Sequence, residues 1–146
     1  MQIRLMTPDD YDRVYALWMA SKNMGFNNLD DSREGIGRYL ARNPSTSFVA
    51  EEDGRILGVI LAGHDGRRAL IHHLCVAEDR RGQGIASRLL GQALDALKAE
   101  GIHKAACLVF RRNEAGNAFW ESQGFTVRED IAYRNLALTE LIRIDT

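Results

Sequence analysis

The hydrophobic positions in the first third of the chain predict one strand and two helices. Residues 2–6 (QIRLM) alternate between apolar and polar side chains, as a short strand does. The sequence TPDD at 7–10 favours a helix start, because threonine caps, proline suits the first turn and aspartates complement the helix dipole. Apolar residues then recur at helical spacing as far as Met24. After a looser segment at 25–31, a second helical pattern ends before Pro44.

Three β-rich runs follow, and short turns separate them. SFVAEE at 47–52 and RILGVILAG at 55–63 flank the dipeptide Asp53-Gly54, which is one of the strongest hairpin signals. A second turn at 65–66 leads into ALIHHLCVA at 69–77. These runs predict a three-stranded antiparallel meander.

The second half of the chain alternates between the helical and the strand pattern. Apolar residues at helical spacing occupy 85–97, and Gly101 suits the end of that helix. KAACLVF at 104–110 predicts a buried strand, and 113–122 predicts a short helix. Gly124-Phe125 is then interpreted as the turn into a last pair of strands.

The resulting order is strand, two helices, three strands, helix, strand, helix and a final strand pair, without linker or repeat. It predicts an α/β fold with one mixed, mostly antiparallel sheet and helices on both faces. At 146 residues the chain is most simply a single domain over 1–146, long enough to bury a core.

Composition narrows the classes of partner. With 45% hydrophobic and 27% charged residues and a formal net charge of -1, the chain lacks the basic excess of nucleic-acid or membrane-surface proteins. No apolar stretch reaches the roughly 18 residues that span a bilayer, and no signal peptide is recognised, so we expect a cytoplasmic protein. Cys75 and Cys107 lie in apolar runs without ligand spacing, so we expect buried small hydrophobes and no metal.

The sequence RRGQGIAS at 80–87 places two arginines and two glycines before a predicted helix. The first amides of a helix lack internal partners, and glycines admit a bulky anion, so the stretch suits a phosphate group. Arg80 and Arg81 would add complementary charge. A Walker loop needs lysine beside serine or threonine, and a GxGxxG loop would need glycine at Ser87, so both fit badly. On these residues alone, a plain turn with solvated arginines stays an alternative.

Two motifs in register give the chain a family resemblance. Residues 81–86 match every fixed position of the pattern [RQ]-x-x-G-x-[GA], and Asn113 is followed eleven and twelve residues later by Gly124 and Phe125. In these motifs and in the order of its elements, the chain resembles the GNAT superfamily of N-acetyltransferases. The resemblance implies transfer of an acetyl group from acetyl-CoA to a primary amine of a small molecule or peptide by direct attack.

The resemblance also implies where acetyl-CoA would bind. The amides of 82–87 would hold the pyrophosphate, and the pantetheine arm would pair with backbone groups near Leu74 and Val76. Asn113 and the helix after it would line the far side of the thioester. The implied cofactor-binding residues are Leu74, Val76, Arg81, Gly82, Gln83, Gly84, Ile85, Ala86, Ser87, Asn113 and Trp120.

The catalytic groups follow from the same comparison. The backbone amide of Leu74 would stabilise the oxyanion. We expect strand alternation to turn one histidine of the pair to the cleft, and His72, on the face of Leu74 and Val76, to relay the amine proton; packing within the sheet is its alternative. Glu51 and Glu52 are weaker base candidates. Where many members carry a tyrosine acid the chain has Trp120, which either packs against the thioester arm or belongs to the core.

The acceptor side is expected between the first two helices and the last hairpin. The side chains nominated there are Trp18, Met24, Phe26, Asn27, Asn28 and Tyr133, each of which is equally explained as core or loop.

Two other functions stay open at this point. The chain could be a CoA-binding sensor or interaction module with weak or lost catalysis, as Trp120 suggests, or a nucleotide enzyme, which the loop spacing disfavours. Related proteins often pair through sheet edges or last strands, so we expect a homodimer. Neither a nucleic acid nor a membrane is an expected partner.

Overall fold

A computed structural model describes residues 1–146 and contains seven strands and four α-helices. A single 3-10 turn, Pro8–Asp10, precedes the first helix, and another, Glu78–Arg80, precedes the glycine stretch. In chain order the elements are β1 (Gln2–Leu5), α1 (Tyr11–Met19), β2 (Gly25–Asn27), α2 (Arg33–Arg42), β3 (Phe48–Glu52), β4 (Arg55–His64), β5 (Ala69–Val76), α3 (Ile85–Ala99), β6 (Ala105–Cys107), α4 (Glu114–Ser122) and β7 (Arg143–Asp145).

Five strands form the main sheet in the order β1-β3-β4-β5-β6. The neighbours β1/β3, β3/β4 and β4/β5 are antiparallel, and only β5/β6 is parallel. The turn between β3 and β4 has φ of 50° at Asp53 and 79° at Gly54, as the primed hairpin turns of Asp-Gly sequences require. The predicted hairpin, meander and mixed, mostly antiparallel sheet are therefore confirmed.

Helices cover both faces of this sheet, and each face has its own hydrophobic core. Leu89, Leu90 and Ala93 of α3 pack on one face with alternate residues of β3, β4 and β5. Val14 and Trp18 of α1 pack on the opposite face with residues of α2 and the other alternation of the strands. Each fully buried leucine contributes about 1.5–3 kcal/mol of transfer free energy. No helix combines the length and hydropathy needed to cross a bilayer.

The C-terminal part of the fold differs from the prediction. No final strand pair forms after Gly124: residues 125–142 contain no strand, and Leu138 is 94% exposed there. The single strand β7 instead pairs antiparallel with β2, inside the segment 25–31 that was predicted to be loose. The apolar alternation of 125–142 favours strands locally, but a strand needs a paired neighbour, and this segment crosses from α4 to β2 without one.

Two smaller expectations also change. Cys75 is buried, as predicted, and burial raises the pKa of its thiol to about 12. Cys107 is only half-buried, because it ends the short strand β6 at the sheet edge. The strand predicted over 104–110 contracts to three residues, since its pairing with β5 stops at Cys107.

Candidate functional site

An opening separates the C-terminal half of β5 from the chain that follows β6. The two parallel strands pair only from Ala69, opposite Ala105, to Ile71, opposite Cys107. β5 continues to Val76 with no strand neighbour on that side. Backbone groups of residues 72–76 along this edge are therefore available to a ligand that lies between the diverging chains.

A β-bulge lies in β5 at the mouth of this opening. Val59 pairs with Cys75 and Leu61 pairs with His72, so Ile60 of β4 faces two residues of β5. One of these, His73, has φ of 52°, in the left-handed region that non-glycine residues rarely adopt. The extra residue interrupts the regular alternation of side chains between the two faces.

The bulge corrects the predicted orientation of the histidines. Leu74 and Val76 pack with the α3 core, whereas the ring of His72 contacts Tyr39 of α2. The ring of His73 contacts Trp18 of α1, on that same α1/α2 face. The prediction that His72 shares a face with Leu74 and Val76 is therefore wrong, and the two imidazoles lie on the same face instead of alternating. The two imidazole centroids lie 5.9 Å apart.

His73 forms a close pair with Asp31, which sequence reasoning did not find. The Nε2 atom of His73 lies 2.6 Å from Oδ1 of Asp31, and the side chains are 14% and 10% exposed. The other carboxylate oxygen accepts the backbone N–H of Asn27 at 2.8 Å. Trp18 and Phe26 flank the imidazole, with centroids 5.0 Å and 4.7 Å away. The only signals in the sequence are a doubled histidine in a strand and a doubled aspartate after β2, and neither predicts a contact.

His72 lies beside a groove of about 300 Å³ whose walls include Tyr39, Arg42 and His64. Its ring makes a T-shaped contact with Tyr39 at 6.2 Å between centroids. Burial, and next the nearby His73, holds the pKa of His72 below its ordinary value. Its imidazole is therefore neutral near pH 7, in the form that accepts a proton.

The glycine stretch forms a loop that ends at the N-terminus of α3. Gly82 and Gly84 have φ of 75° and 80°, and a Cβ at either position would meet no atom within 4 Å. Gly84 is the N-cap residue, and no side chain caps the helix. The first amides of α3 consequently have no side-chain cap, which suits the anion site that the motif predicts. Ser87 Oγ accepts a hydrogen bond from Gln123 at 3.2 Å, which links α3 to the end of α4.

The basic pair before this loop is tied to the sheet. Arg81 donates from Nε to the carbonyl oxygen of Val76 at 3.3 Å. Arg80 forms an ion pair of 2.6 Å with Glu52. The expectation that both arginines add free charge to the anion site is therefore wrong for Arg80, whose charge Glu52 balances.

Neither glutamate of β3 lies where a base is needed. Glu51 pairs with Arg4 at 2.8 Å and with Arg13 at 2.7 Å, and hydrogen bonds from these arginines hold the pKa of Glu51 below its ordinary value. A hydrogen bond from Arg80 does the same for the pKa of Glu52. Both carboxylates lie on β3, which β4 separates from β5. The structure removes them as base candidates.

The far side of the opening is formed by the chain leading into α4. Asn113 is the N-cap residue of α4, and its Oδ1 accepts the amide of Gly116 at 2.9 Å. Trp120 packs against Phe119 and Phe125, with centroids 5.4 Å and 4.8 Å away. Asn113 and Trp120 thus both contact other residues on the far side of the opening, where the motif predicts them.

The nominated acceptor residues divide into two groups. Trp18, Met24 and Phe26 are buried in the core beneath His73, and Asn27 accepts the amides of Leu29 and Asp30 through Oδ1. Of these residues, Trp18, Phe26 and Asn27 contact the His73–Asp31 pair. Asn28 Oδ1 accepts the amide of Ile142, a contact that holds the C-terminal segment beside β2. Tyr133 is 66% exposed within 125–142 and forms no hydrogen bond or aromatic contact with the other nominated residues.

Comparison with known proteins identifies the family to which a chain with this fold and glycine loop belongs. The model of the acetyltransferase (GNAT) family matches residues 11–125, so the chain belongs to that family. An acetyltransferase of Sodalis glossinidius is 30% identical over 140 residues, covering 96% of this chain and 97% of the relative. The protein is therefore an acetyltransferase enzyme.

Solved structures show the same fold at lower identity. Ard1 from Thermoplasma volcanium superposes with a TM-score of 0.77 at 21% identity, covering 87% of this chain and 83% of that one. The PaiA N-acetyltransferase of Thermoplasma acidophilum, solved in complex with coenzyme A, gives 0.73 at 19% identity, covering 88% and 91%. These similarities confirm the predicted fold class.

Proposed function

We propose that the protein transfers the acetyl group of acetyl-CoA to a primary amine of a small molecule or peptide by direct attack. The observation that carries the proposal is a single continuous path. The unpaired edge of β5 runs from the bulge at His73 to the uncapped N-terminus of α3, next to the open glycines. A thioester could lie at the bulge while its pyrophosphate binds the helix.

In this arrangement, the chain binds CoA through backbone groups. The amides of 82–87 bind the pyrophosphate, and Leu74 and Val76 pair with the pantetheine amides. The side chain of Arg81 donates a hydrogen bond to the carbonyl oxygen of Val76. Its side chain therefore exchanges that carbonyl for the incoming phosphates, which are the better partner for a guanidinium group.

The chemistry then needs a donor for the oxyanion and a fate for the thiolate. The amide of Leu74 follows directly after the left-handed His73, and we assign the oxyanion to it. Trp120 cannot protonate the sulfur, because an indole N–H is not an acid at neutral pH. CoA leaves as the thiolate, which is tolerable because a thiol has a pKa of about 8.5.

His72 carries the proton away from the site. It is neutral near pH 7 and borders the groove that leads to solvent. Replacing His72 with glutamine should slow kcat/KM while leaving the Kd of CoA unchanged. An unchanged rate and pH profile would remove His72 from the mechanism.

A second candidate function is a CoA-binding module with weak catalysis, which the absence of a tyrosine at position 120 favours. Both functions predict CoA binding, so thermal shifts with CoA cannot separate them. Release of free thiol from acetyl-CoA, measured with a panel of primary amines and peptide N-termini, separates them. Release above hydrolysis with any acceptor supports the enzyme, and its absence with all acceptors supports the module.

We also retain a homodimer as a proposal. The exposed apolar side chains of 125–142, including Ile131, Leu136 and Leu138, form the surface on which it rests. Light scattering after gel filtration tests this, with Leu136→Ser/Leu138→Ser as the variant expected to shift a dimer to monomer. A wild-type protein that is monomeric throughout the accessible concentration range would contradict it.

A further inference from the structure

We propose that His73 is the base that accepts the proton of the acceptor amine, and that Asp31 is a positioning residue that sets its tautomer. This inference rests on the proposed acetyl transfer and assigns a catalytic residue that neither motif contains. The observations that carry it are the pairing of the two side chains, the free second nitrogen of the imidazole and the position of His73 in the bulge.

The contact with Asp31 determines which nitrogen is free. An ionised carboxylate only accepts hydrogen bonds, so the Nε2 atom, 2.6 Å from Oδ1, carries the proton. The lone pair of the neutral ring is then on Nδ1. Nδ1 makes no hydrogen bond within the protein, and it is not among the buried polar atoms that lack a partner. It therefore faces space that a substrate amine or a water can reach.

Asp31 is held rigidly enough for this task. Its second oxygen accepts the amide of Asn27, and its backbone carbonyl accepts the hydroxyl of Tyr11 at 2.7 Å. The carboxylate is thus held by the last residue of β2, and the backbone of Asp31 is held by α1, both independently of His73. A positioned carboxylate of this kind orients an imidazole and stabilises the imidazolium that forms on protonation.

Few other groups face the imidazole. On its own strand, the ring of His72 lies 5.9 Å away between centroids, and the thiol of Cys75 is buried in the same core as Trp18. From α1 and β2, the packed side chains are Trp18 and Phe26, which bring no charge and exclude water. Trp18 also leaves its buried Nε1–H without an acceptor. Asp31 is therefore the one carboxylate in contact with the ring.

The backbone at His73 places the base next to the proposed oxyanion donor. A non-glycine residue in the left-handed region costs about 1–3 kcal/mol, and such strain concentrates at functional sites. Because His73 directly precedes Leu74, the proposed proton acceptor and the proposed oxyanion donor are adjacent residues of one bulge.

The proton steps balance as follows. An ammonium acceptor gives one proton to Nδ1, and the free amine forms the C–N bond at the thioester carbonyl. The tetrahedral intermediate collapses with cleavage of the C–S bond and loss of the second nitrogen proton. CoA thiolate takes one of the two protons, from the imidazolium or from water, and the other passes through His72 to solvent. The products are the N-acetyl amine, CoA thiol and one proton.

Two substitutions test the assignment, and each has a matched control. His73→Gln keeps a donor for Asp31 but cannot accept the amine proton, and it should lower kcat by about 10²–10⁴-fold and change the pH profile of kcat. Asp31→Asn keeps an acceptor for Asn27 but turns an amide toward Nε2, which forces the proton onto Nδ1. It should lower kcat by about 10²-fold or more, because the wrong tautomer disables the base. Asp30→Asn, an exposed carboxylate in hydrogen-bond contact with Asn27 and not with His73, should leave kcat unchanged.

Nitrogen chemical shifts of His73 give a readout that a purely structural role would not move. The wild-type ring should show a bare Nδ1 and a protonated Nε2, and Asp31→Asn should invert the pattern while the protein stays folded. Full activity and an unchanged pH profile in His73→Gln, with an active wild type, would overturn this inference alone. A wild-type protein that releases no thiol with any amine would overturn the proposed function and this inference with it.

Discussion

The two faces of the central sheet build their halves of the site from different materials. On the α3 face, the groups open to a ligand are backbone amides, exposed by glycines at 82 and 84. On the α1/α2 face, the group is the side chain of His73, which contacts the buried carboxylate of Asp31, 42 positions away in sequence. The first kind of site depends on backbone conformation and the second on packing. Substitutions on the α3 face should therefore change the Kd of CoA, and those on the α1/α2 face should change kcat.

Among effects on CoA binding, the largest is expected from Gly84→Val. A branched side chain resists the left-handed conformation by about 1–2 kcal/mol and displaces amides whose hydrogen bonds to a charged phosphate contribute about 1.5–3 kcal/mol each. We expect the Kd of CoA to rise by about 10²-fold in isothermal titration calorimetry. Gly91→Val, in the middle of α3 with open space around it, is the control and should bind CoA normally. Equal loss of binding in both variants would show that helix stability, rather than the loop, is responsible.

Two buried aspartates on the α1/α2 face offer the next test. Asp10 is buried, and although burial raises its pKa, hydrogen bonds from Arg4 bring the net pKa below the ordinary value. Asp10→Asn removes the partner of Arg4 and Arg13 and should lower the free energy of unfolding by about 2–3 kcal/mol, less than for a fully buried pair because Arg13 is exposed.

The contrast with Asp31 is what the urea titrations and rates should reveal. Asp10→Asn should destabilise the protein while the folded fraction keeps its kcat. Asp31→Asn should lower kcat while the protein stays folded. Loss of kcat in folded Asp10→Asn would mean that this ion-pair network also supports catalysis.

A smaller effect concerns the pH dependence of stability. The pKa of His72 is below its ordinary value of 6.5 in the folded chain because of burial. The unfolded chain therefore takes up this proton at a higher pH, and the free energy of unfolding falls as pH drops below about 6.5 toward the folded pKa. His72→Gln should flatten this fall between about pH 7 and pH 5. His103→Gln, at an exposed histidine, is the control. A slope as steep in His72→Gln as in wild type would contradict the assignment.

The smallest effect is expected at Trp120. Trp120→Tyr restores an acid able to protonate the leaving thiolate, and we expect kcat to rise by no more than about tenfold, because the thiol is already a tolerable leaving group. Trp120→Phe removes the indole without adding an acid and controls for lost packing with Phe125. If kcat of Trp120→Tyr is no higher than kcat of Trp120→Phe, the side chain at position 120 does not reach the CoA sulfur.

The two faces of the sheet also differ in how much of their half of the site the sequence predicts. The hairpin at Asp53-Gly54, the meander and the loop before α3 were predictable, because turn chemistry and glycine spacing act over a few residues. The bulge was not, since an extra residue in a strand has no firm local signature, and it reverses the face assigned to His72. Asp31 reaches His73 only through the packing of α1 and β2, which no local pattern encodes.

The C-terminal segment shows a further limit. Residues 125–142 have the apolar content of strands, yet a strand needs a neighbouring strand to pair with. The segment has none, and only β7, which follows it, pairs with β2. The elements of the fold were thus predictable where short-range signals dominate. The strands that depend on long-range pairing were not.

The most direct test of the central claim is the release of free CoA thiol by the wild-type protein with acetyl-CoA and a panel of primary amines and peptide N-termini. The account predicts amine-dependent release, with an equal amount of N-acetylated product, that increases as pH rises through the neutral range. Release no faster than hydrolysis with every acceptor, from a protein that binds CoA, would contradict it.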